Sequence, residues 1–219
     1  MLNLPKSTEV NKFIPKQKIY TKVTISNSLK NSFVEDIEKI VWVNKLAPTT
    51  LNIETGSSIK EIEVFHIILK NKKFNKKILE TIDKAIPYYI LFVLEYENEF
   101  KLCLGYKEKT ADNTIKKTNI VRYFDSEWTK EPKLEIQGNK LDIIYENFLA
   151  QLSNNLISRE QEKDIKDKVK TAVEIEELEE EIKKLTAKMN NEPQLNRQVK
   201  YNRKIKELKK KIETLKNNK

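Results

Sequence analysis

The chain has 219 residues, of which 34% are charged and 38% hydrophobic, and its formal net charge is +9. This balance suits a modest core with an elongated, solvated part, and it favours an anionic partner, either nucleic acid or an acidic protein surface. A single cysteine, Cys103, excludes an intramolecular disulfide and a cysteine-ligated zinc site, and three glycines are too few for a glycine-rich phosphate loop.

No segment of the sequence is typical of a membrane span or a secretion signal. The longest apolar run, AIPYYILFVL at 85–94, is about half the length needed to cross a bilayer. The amino-terminal stretch MLNLPKSTEVNK lacks the apolar centre of a signal peptide. We therefore expect a soluble, cytoplasmic protein with no membrane partner, in a reducing compartment.

The first predicted elements are one helix and three strands. In LKNSFVEDIEKI (29–40), apolar side chains recur every three or four residues, which predicts a short amphipathic helix. β-Branched and aromatic residues predict strands at IVWV (40–43) and TTLNI (49–53). EIEVFHIILK (61–70) predicts a further strand, whose continuously apolar end is typical of burial on both faces.

A helix and a β-hairpin are predicted next. KKILETIDKAI (76–86) has helical spacing and ends before Pro87, which cannot continue a helix. YYILFVLEY (88–96) and FKLCLGY (100–106) are strand-like and are joined by a short polar turn. This arrangement is typical of an antiparallel hairpin.

Two strands and a helix complete the first part of the chain. NIVRYF (119–124) and KLEIQ (133–137) predict strands, and LDIIYENFLAQL (141–152) predicts a helix with one apolar face. Residues 1–155 are therefore predicted to form an α+β head domain. We expect a mostly antiparallel or mixed sheet with about three helices.

The remaining residues, 156–219, predict a helical hairpin. Glycine is absent there, and Tyr201 is the only aromatic residue. Apolar residues at alternating spacings of three and four form a heptad seam in two segments that flank NNEPQ (190–194), which predicts an antiparallel coiled coil. The seam residues, which are also our candidates for partner binding, include Ile175, Leu178, Ile182, Leu185, Ile205, Leu208 and Ile212.

The two segments of this hairpin carry opposite charge. Residues 158–189 have a net charge of −2, and residues 194–219 have a net charge of +8. With the turn near Glu192, an antiparallel pairing sets acidic residues of the first segment against lysines of the second. Lys216 and Lys219 extend past the seam, and we keep them as candidates for binding nucleic acid.

The residues that usually carry catalysis are scarce. His66 is the only histidine and lies inside VFHIIL, where we interpret it as a core or edge residue with one hydrogen-bond partner. Cys103 lies in the apolar strand KLCLGY, and we interpret it as a small buried hydrophobic residue. Neither residue predicts a nucleophile with a base beside it.

A metal-dependent nuclease would need carboxylates for Mg²⁺ and a lysine that orients the attacking water. The nearest match is Glu99 and Lys101 at the start of the second hairpin strand. The acidic residues that could complete such a site are Glu95, across the turn, and Asp83, on the preceding helix. Charged side chains at a hairpin tip are more often simply solvated, so this match is weak.

Aromatic and basic residues alternate in NIVRYFDSEWTKEPK (119–133). Arg122, Lys130 and Lys133 could meet phosphates while neighbouring rings, including Trp128, stack on bases. The competing interpretation is that the aromatic residues belong to the core, and we favour that interpretation for the rings.

Four segments together resemble a known family: LPKSTEVNKFIPKQKIY (4–20), IEKIVWVNKLAPTTLNI (37–53), IEVFHIILK (62–70) and YYILFVLEY (88–96). They are similar to a family of small prokaryotic proteins known only as a domain of unknown function. Its members are encoded beside restriction-type helicases and DNA methyltransferases in phage-defence regions. The resemblance implies an accessory component of such a system, and it supplies no catalytic residues.

We therefore expect a non-enzymatic interaction subunit of a DNA-acting phage-defence or restriction–modification complex, with no metal and no cofactor. Its expected partner is a larger helicase or DNA methyltransferase, with DNA as a second partner and self-association through the coiled coil as a further option. Two alternatives stay open. One is a divergent Mg²⁺-dependent nuclease that uses Glu99 and Lys101, and the other is a stand-alone nucleic-acid-binding protein.

Overall fold

The protein divides into two compact units, Met1–Leu152 and Ser153–Lys219. They are described from a computed structural model that covers residues 2–109, 118–153, 156–157 and 164–217. The first unit is a mixed α+β structure built on one six-stranded sheet, and the second contains two long helices. Within these described ranges, no helix is both long enough and apolar enough to cross a membrane.

The first unit combines the sheet with helices of very different length. Its strands are β1 (Glu9–Phe13), β2 (Ile37–Leu46), β3 (Ile62–Leu69), β4 (Tyr89–Tyr96), β5 (Glu99–Lys109) and β6 (Thr118–Asp125). Its α-helices are α1 (Lys16–Tyr20), α2 (Asn27–Asp36), α3 (Pro48–Leu51), α4 (Lys77–Ala85) and α5 (Leu141–Leu152). The α+β prediction is confirmed, but the expectation of about three helices is wrong, because the two short helices α1 and α3 were not foreseen.

The strands follow one another across the sheet in the order β1-β2-β3-β4-β5-β6. All neighbours are antiparallel except β3 and β4, which run parallel and are joined through α4. The prediction of a mixed sheet and of a hairpin at β4–β5 is thereby confirmed. Most residues of β3 and β4 are buried, as expected for central strands covered on both faces.

The predicted helix at 29–40 is too long. The helix α2 ends at Asp36, and Ile37 begins β2. Ile37 and Ile40 belong to β2 and are almost completely buried. Their spacing from the apolar residues of α2 matches a helical period only by coincidence. When apolar residues continue from a helix directly into a strand, their spacing does not show where the helix ends.

The predicted strand at 49–53 is wrong, because this segment forms the short helix α3. Pro48 occupies the first turn, where its missing N–H costs nothing. The Thr50 hydroxyl accepts a hydrogen bond from the backbone N–H of Ala47 at 2.9 Å, and Asn52 ends the helix with a φ of 53°. Local side-chain capping therefore outweighs the β-propensity of two threonines.

The predicted strand at 133–137 does not join the sheet. Instead, the side chain of Gln151, on α5, forms the hydrogen bonds to this backbone that a neighbouring strand would form. Its Oε1 accepts from the backbone N–H of Glu135 at 2.9 Å, and its Nε2 donates to the Glu135 carbonyl at 2.9 Å. Both backbone groups are satisfied without a ladder, so β-structure is not required.

The second unit contains α6 (Ile165–Asn190) and α7 (Leu195–Asn217), which pack together. Their shared core is formed by Ile175, Leu178 and Ile212, with Ile182, Leu208 and Leu215 packed against it. Two exposed ion pairs set the direction: Lys204 lies 2.7 Å from Glu181, and Lys211 lies 2.7 Å from Glu174. Glu174 precedes Glu181 on α6, whereas their partners Lys211 and Lys204 occur in the reverse order on α7, so the two helices are antiparallel. The acidic segment therefore faces the basic one, as predicted.

Candidate functional site

One pocket of the first unit combines lysines, aromatic rings and an apolar floor. Its volume is about 260 Å³. We call it the lysine pocket after the four side chains that give its charge, Lys72, Lys73, Lys76 and Lys101. One carboxylate, from Asp125, also lines it, so the net charge of the lining side chains is positive.

Three of the four lysines, Lys72, Lys73 and Lys76, lie in the segment between β3 and α4, which is held by hydrogen bonds to its neighbours. The backbone N–H of Asn75 donates to Asp36 Oδ2 at 2.9 Å, and the Asn75 side chain donates to Ser32 Oγ at 3.2 Å. Asn75 Oδ1 in turn accepts from the N–H of Lys77 at 3.1 Å, in the first turn of α4. A loop rich in lysine is therefore held in one conformation by residues of α2 and α4.

The floor of the pocket is apolar. It contains Leu79, Leu94 and Cys103, each at most 3% exposed. Burial raises the pKa of the Cys103 thiol well above its usual range, so this group stays protonated and is a poor nucleophile. The interpretation of Cys103 as a small buried hydrophobic residue is confirmed.

Aromatic rings form the walls, from Phe74, Tyr123 and Trp128. Trp128 is placed by a backbone bridge next to it, in which Thr129 and Phe100 exchange N–H···O bonds of 2.7 and 2.9 Å. The Lys72 ammonium lies 5.3 Å from the centroid of the Trp128 ring. Cations and flat rings thus share the same small volume, which suits a ligand with both an anionic and an aromatic part.

The ion pairs at the rim of the pocket differ in their exposure. Lys72 Nζ lies 2.5 Å from Glu99 Oε2, and the side chains of both residues are at least one-third exposed. Asp125 lies 3.3 Å from both Lys76 and Lys101. An exposed pair such as Lys72–Glu99 contributes about 0–1 kcal/mol, so an incoming anion can replace its carboxylate at small cost. The side chains of Lys101 and Asp125 are less exposed, at 19% and 29%.

Behind the pocket lies a buried polar network. The Tyr123 hydroxyl donates to Asp83 Oδ2 at 2.6 Å, and Asp83 Oδ1 lies 2.8 Å from Lys107 Nζ. Burial and the neighbouring Asp83 carboxyl both raise the pKa of the Tyr123 hydroxyl, which therefore remains protonated. This network fixes the Tyr123 ring as a rigid wall of the pocket.

The two proposed catalytic residues, Glu99 and Lys101, lie on the same face of β5 but in separate ion pairs. Glu99 pairs with Lys72, and Lys101 pairs with Asp125. Of their proposed acidic partners, Asp83 is held in the buried network. Glu95 follows Leu94, which lines the pocket, and successive strand residues point to opposite faces, so Glu95 faces away from it.

Glu95 instead pairs with the only histidine. Its Oε2 lies 2.5 Å from Nε2 of His66, which is 6% exposed, so the interpretation of His66 as a core residue with one partner is confirmed. Burial lowers the pKa of His66, more than Glu95 raises it. In the described part of the chain, no three His, Cys, Asp or Glu side chains lie close enough to hold a metal ion.

The structure separates the residues proposed for nucleic-acid binding. Arg122 and Tyr123 are consecutive on β6 and point to opposite faces of the sheet, so only Tyr123 reaches the pocket. Lys130 and Lys133 are exposed in the segment that follows Trp128, and they are not among the side chains that line the pocket.

The remaining candidates lie in the second unit. Lys216 Nζ lies 3.3 Å from Glu179 Oε1, so it already has a partner on α6, and Lys219 falls outside the described residues. Of the seam residues proposed for partner binding, Ile175, Leu178, Leu185, Ile205 and Ile212 are at most 9% exposed, and Ile182 and Leu208 pack against the same core. A partner would therefore meet other side chains of a closed hairpin.

Three lysines of the pocket were not predicted as functional: Lys72, Lys73 and Lys76. They come from the run KNKKFNKK (70–77), in which five of eight residues are lysine. That density was a usable signal. It was missed because such a run between a strand and a helix is usually a solvated loop.

The chain belongs to a family described as a domain of unknown function (DUF4391), whose model matches residues 2–212. The resemblance to an uncharacterised domain family is thereby confirmed. No curated protein and no solved structure matches the chain.

Proposed function

We propose that this protein is a non-enzymatic accessory subunit of a DNA-acting complex, which binds nucleic acid through the lysine pocket. The observation that carries the proposal is the lysine pocket itself, where four lysines and one aspartate surround aromatic walls. Phosphate backbones are recognised by clustered cations, and bases by aromatic faces. The net charge of +9 for the whole chain supports the same class of ligand.

The larger partner that we propose is a helicase or a DNA methyltransferase of a phage-defence or restriction–modification system, as the family resemblance implies. The helical hairpin, which we propose to be a coiled coil, would provide the contact. Leu195 and Val199 support this role, because they lie one turn apart at the start of α7 and are 72% and 60% exposed. Apolar pairs of this kind on a closed hairpin are suited to a protein partner.

The nucleic-acid part is tested by removing charge from the pocket and, separately, from another surface of the same unit. Lys73→Gln/Lys76→Gln should weaken DNA binding at least about tenfold and reduce the slope of log K against log salt by about 2. The matched control, Lys22→Gln/Lys60→Gln, changes the same charge at exposed positions that do not line the pocket. Equal losses in both variants, or a wild-type protein that does not bind DNA, would overturn the proposal.

The partner part is tested by co-purification with the proteins encoded beside this one. Leu195→Ser/Val199→Ser should lose the partner while the helical content of the hairpin is retained, because both side chains are exposed. Retention of DNA binding together with loss of the partner would separate the two roles. Capture of neither a helicase nor a methyltransferase by the wild-type protein would favour a stand-alone nucleic-acid-binding protein.

A further inference from the structure

We propose that the lysine pocket accepts a single unpaired nucleotide, with the base inside the pocket and its phosphate on the lysine rim. This inference rests on the proposed nucleic-acid binding and specifies its ligand. It predicts a preference for unpaired strands over duplex DNA.

The size and lining of the pocket support one flat ring system as the ligand. Its volume of about 260 Å³ lies below the range of about 300–1,000 Å³ that drug-sized ligands occupy. The side chains of Leu79, Leu94 and Cys103 form its apolar floor, and Tyr123 and Trp128 add aromatic rings to its lining. A phosphate backbone alone would leave this apolar interior unused.

The rim supports a phosphate beside that ring. The Lys76 side chain is 70% exposed, and its ammonium lies 3.3 Å from Asp125, whereas Lys101 is 19% exposed and has the same partner at the same distance. A phosphate group offers more acceptor oxygens than one carboxylate and forms stronger charge-assisted hydrogen bonds. It can therefore displace Asp125 as the partner of both lysines.

Base pairing determines whether a base of a nucleic acid can enter the interior of the lysine pocket. In a duplex, both faces of each base are covered by its stacked neighbours, so a duplex can reach the rim lysines and not the floor. An unpaired base, in a single strand or as a free nucleotide, can enter without the cost of unstacking a duplex. These two sources share one chemistry, a base joined to a phosphorylated sugar.

The test uses the full chain and a labelled unpaired oligonucleotide, whose binding is followed by fluorescence anisotropy. Four competitors are compared: the same strand, the same strand as a duplex, an abasic strand of equal length, and a mononucleotide. The abasic strand keeps the phosphates and lacks the bases, so we expect it to compete at least about tenfold less well than the intact strand. The duplex should also compete less well than the unpaired strand.

Substitution of the wall then tests where the base lies. Trp128→Ala should bind intact and abasic strands with equal affinity, whereas Trp128→Phe, which keeps a ring, should still discriminate between them. The control is Phe13→Ala, which removes an aromatic residue that is 56% exposed and does not line the pocket. Competition by the mononucleotide would identify a free nucleotide as sufficient, and its absence would identify a strand as the ligand; either result supports the proposal.

Two results would overturn this inference and leave the proposed function intact. They are equal affinity of the wild-type protein for intact and abasic strands, and a duplex that binds as tightly as the unpaired strand through Lys73 and Lys76. No binding of any nucleic acid would overturn both. Binding of an acidic peptide that contains an aromatic residue, without binding of any nucleotide, would also overturn both.

Discussion

The carboxylate of Asp83 and the ammonium of Lys107 lie 2.8 Å apart, and both side chains are almost completely removed from solvent, at 0% and 4% exposure. Asp83 comes from α4 and Lys107 from β5, so the pair joins a helix to the sheet. Lys107 Nζ also donates to the carbonyl oxygen of Tyr88 at 2.8 Å. Each charge depends on the other, because neither has access to water.

Loss of Lys107 should therefore be costly. We expect Lys107→Met to lower the free energy of unfolding by about 3–5 kcal/mol, because an uncompensated carboxylate remains buried. Burial already raises the pKa of Asp83, and Lys107 opposes that shift, so its removal raises the pKa further. With a raised native pKa, stability is lost as the pH rises from the ordinary carboxyl value of 3.8 through the raised one, so the loss should be larger at pH 8 than at pH 5.

Urea denaturation of the full chain at both pH values measures this effect. The double variant Asp83→Asn/Lys107→Met provides the control, because the amide oxygen can still accept from Tyr123 and no buried charge remains. It should be more stable than Lys107→Met alone. A double variant as unstable as the single one at both pH values would contradict the proposed dependence of the two charges.

A second prediction concerns His66, whose pKa is lowered by burial. Between that lowered pKa and the usual value near 6.5, the unfolded chain binds more protons than the native one, so stability falls as the pH is lowered. His66→Gln should show a smaller loss between pH 7.5 and pH 5.5, and the difference cannot exceed about 1.4 kcal/mol per pH unit for one proton. Because the chain has one histidine, an unchanged slope would refute the assignment.

Glu63 should give the opposite dependence on pH. It is 4% exposed, and burial, with Glu61 beside it, raises its pKa to about 7. The native state then binds more protons than the unfolded one, so stability is lost as the pH rises from about 4.5 through about 7. Glu63→Gln should be more stable than the wild type at pH 8. That advantage should shrink steadily toward pH 4.5 in denaturation curves, and a constant difference would argue against it.

The hairpin should depend on its apolar seam more than on its ion pairs. Ile175→Ala removes a fully buried side chain and should cost about 2–5 kcal/mol. Lys211→Ala removes a pair with Glu174 whose side chains are 55% and 40% exposed, and should cost at most about 1 kcal/mol. Thermal unfolding followed by helical circular dichroism distinguishes the two variants. Equal losses would mean that charge, and not burial, holds α6 to α7.

The turn between β4 and β5 offers a stabilising substitution. Glu97 and Asn98 have φ values of 48° and 62°, which is the left-handed region that most residues disfavour. Because asparagine tolerates this conformation better than glutamate, Glu97→Asn should raise the free energy of unfolding by about 0.5–1 kcal/mol. Urea denaturation measures the gain, and a variant less stable than the wild type would contradict it.

Elements with a repeated pattern could be predicted from the sequence, and short elements could not. The helices α4 and α5 span two or more turns, so their apolar stripes are visible. The helices α1 and α3 have five and four residues, which is too few to show a period of 3.6. Their formation depends on Pro15 or Pro48 and on local hydrogen bonds, which composition alone does not reveal.

Only part of the candidate site could be predicted from the sequence, for a different reason. The aromatic stretch that contains Tyr123 and Trp128 and the single residue Lys101 were noticed separately. What joins them to Lys72 and Lys76 is the pairing of β4, β5 and β6 and the bridge between Phe100 and Thr129. Such a pairing over tens of residues depends on sheet register, which a single sequence specifies only through the packed fold.

The consecutive order of the strands has a consequence for how the chain is made. Among the residues that the structure describes, each strand from β2 to β6 hydrogen-bonds to the strand that precedes it in the sequence, and no later strand lies between two earlier ones. During synthesis from the amino terminus, each new strand therefore finds its neighbour already outside the ribosome. Pairing of this kind keeps loop-closure costs low and favours rapid, stepwise assembly. We expect all six strands to pair while the chain is still being synthesised, before α7 has been translated.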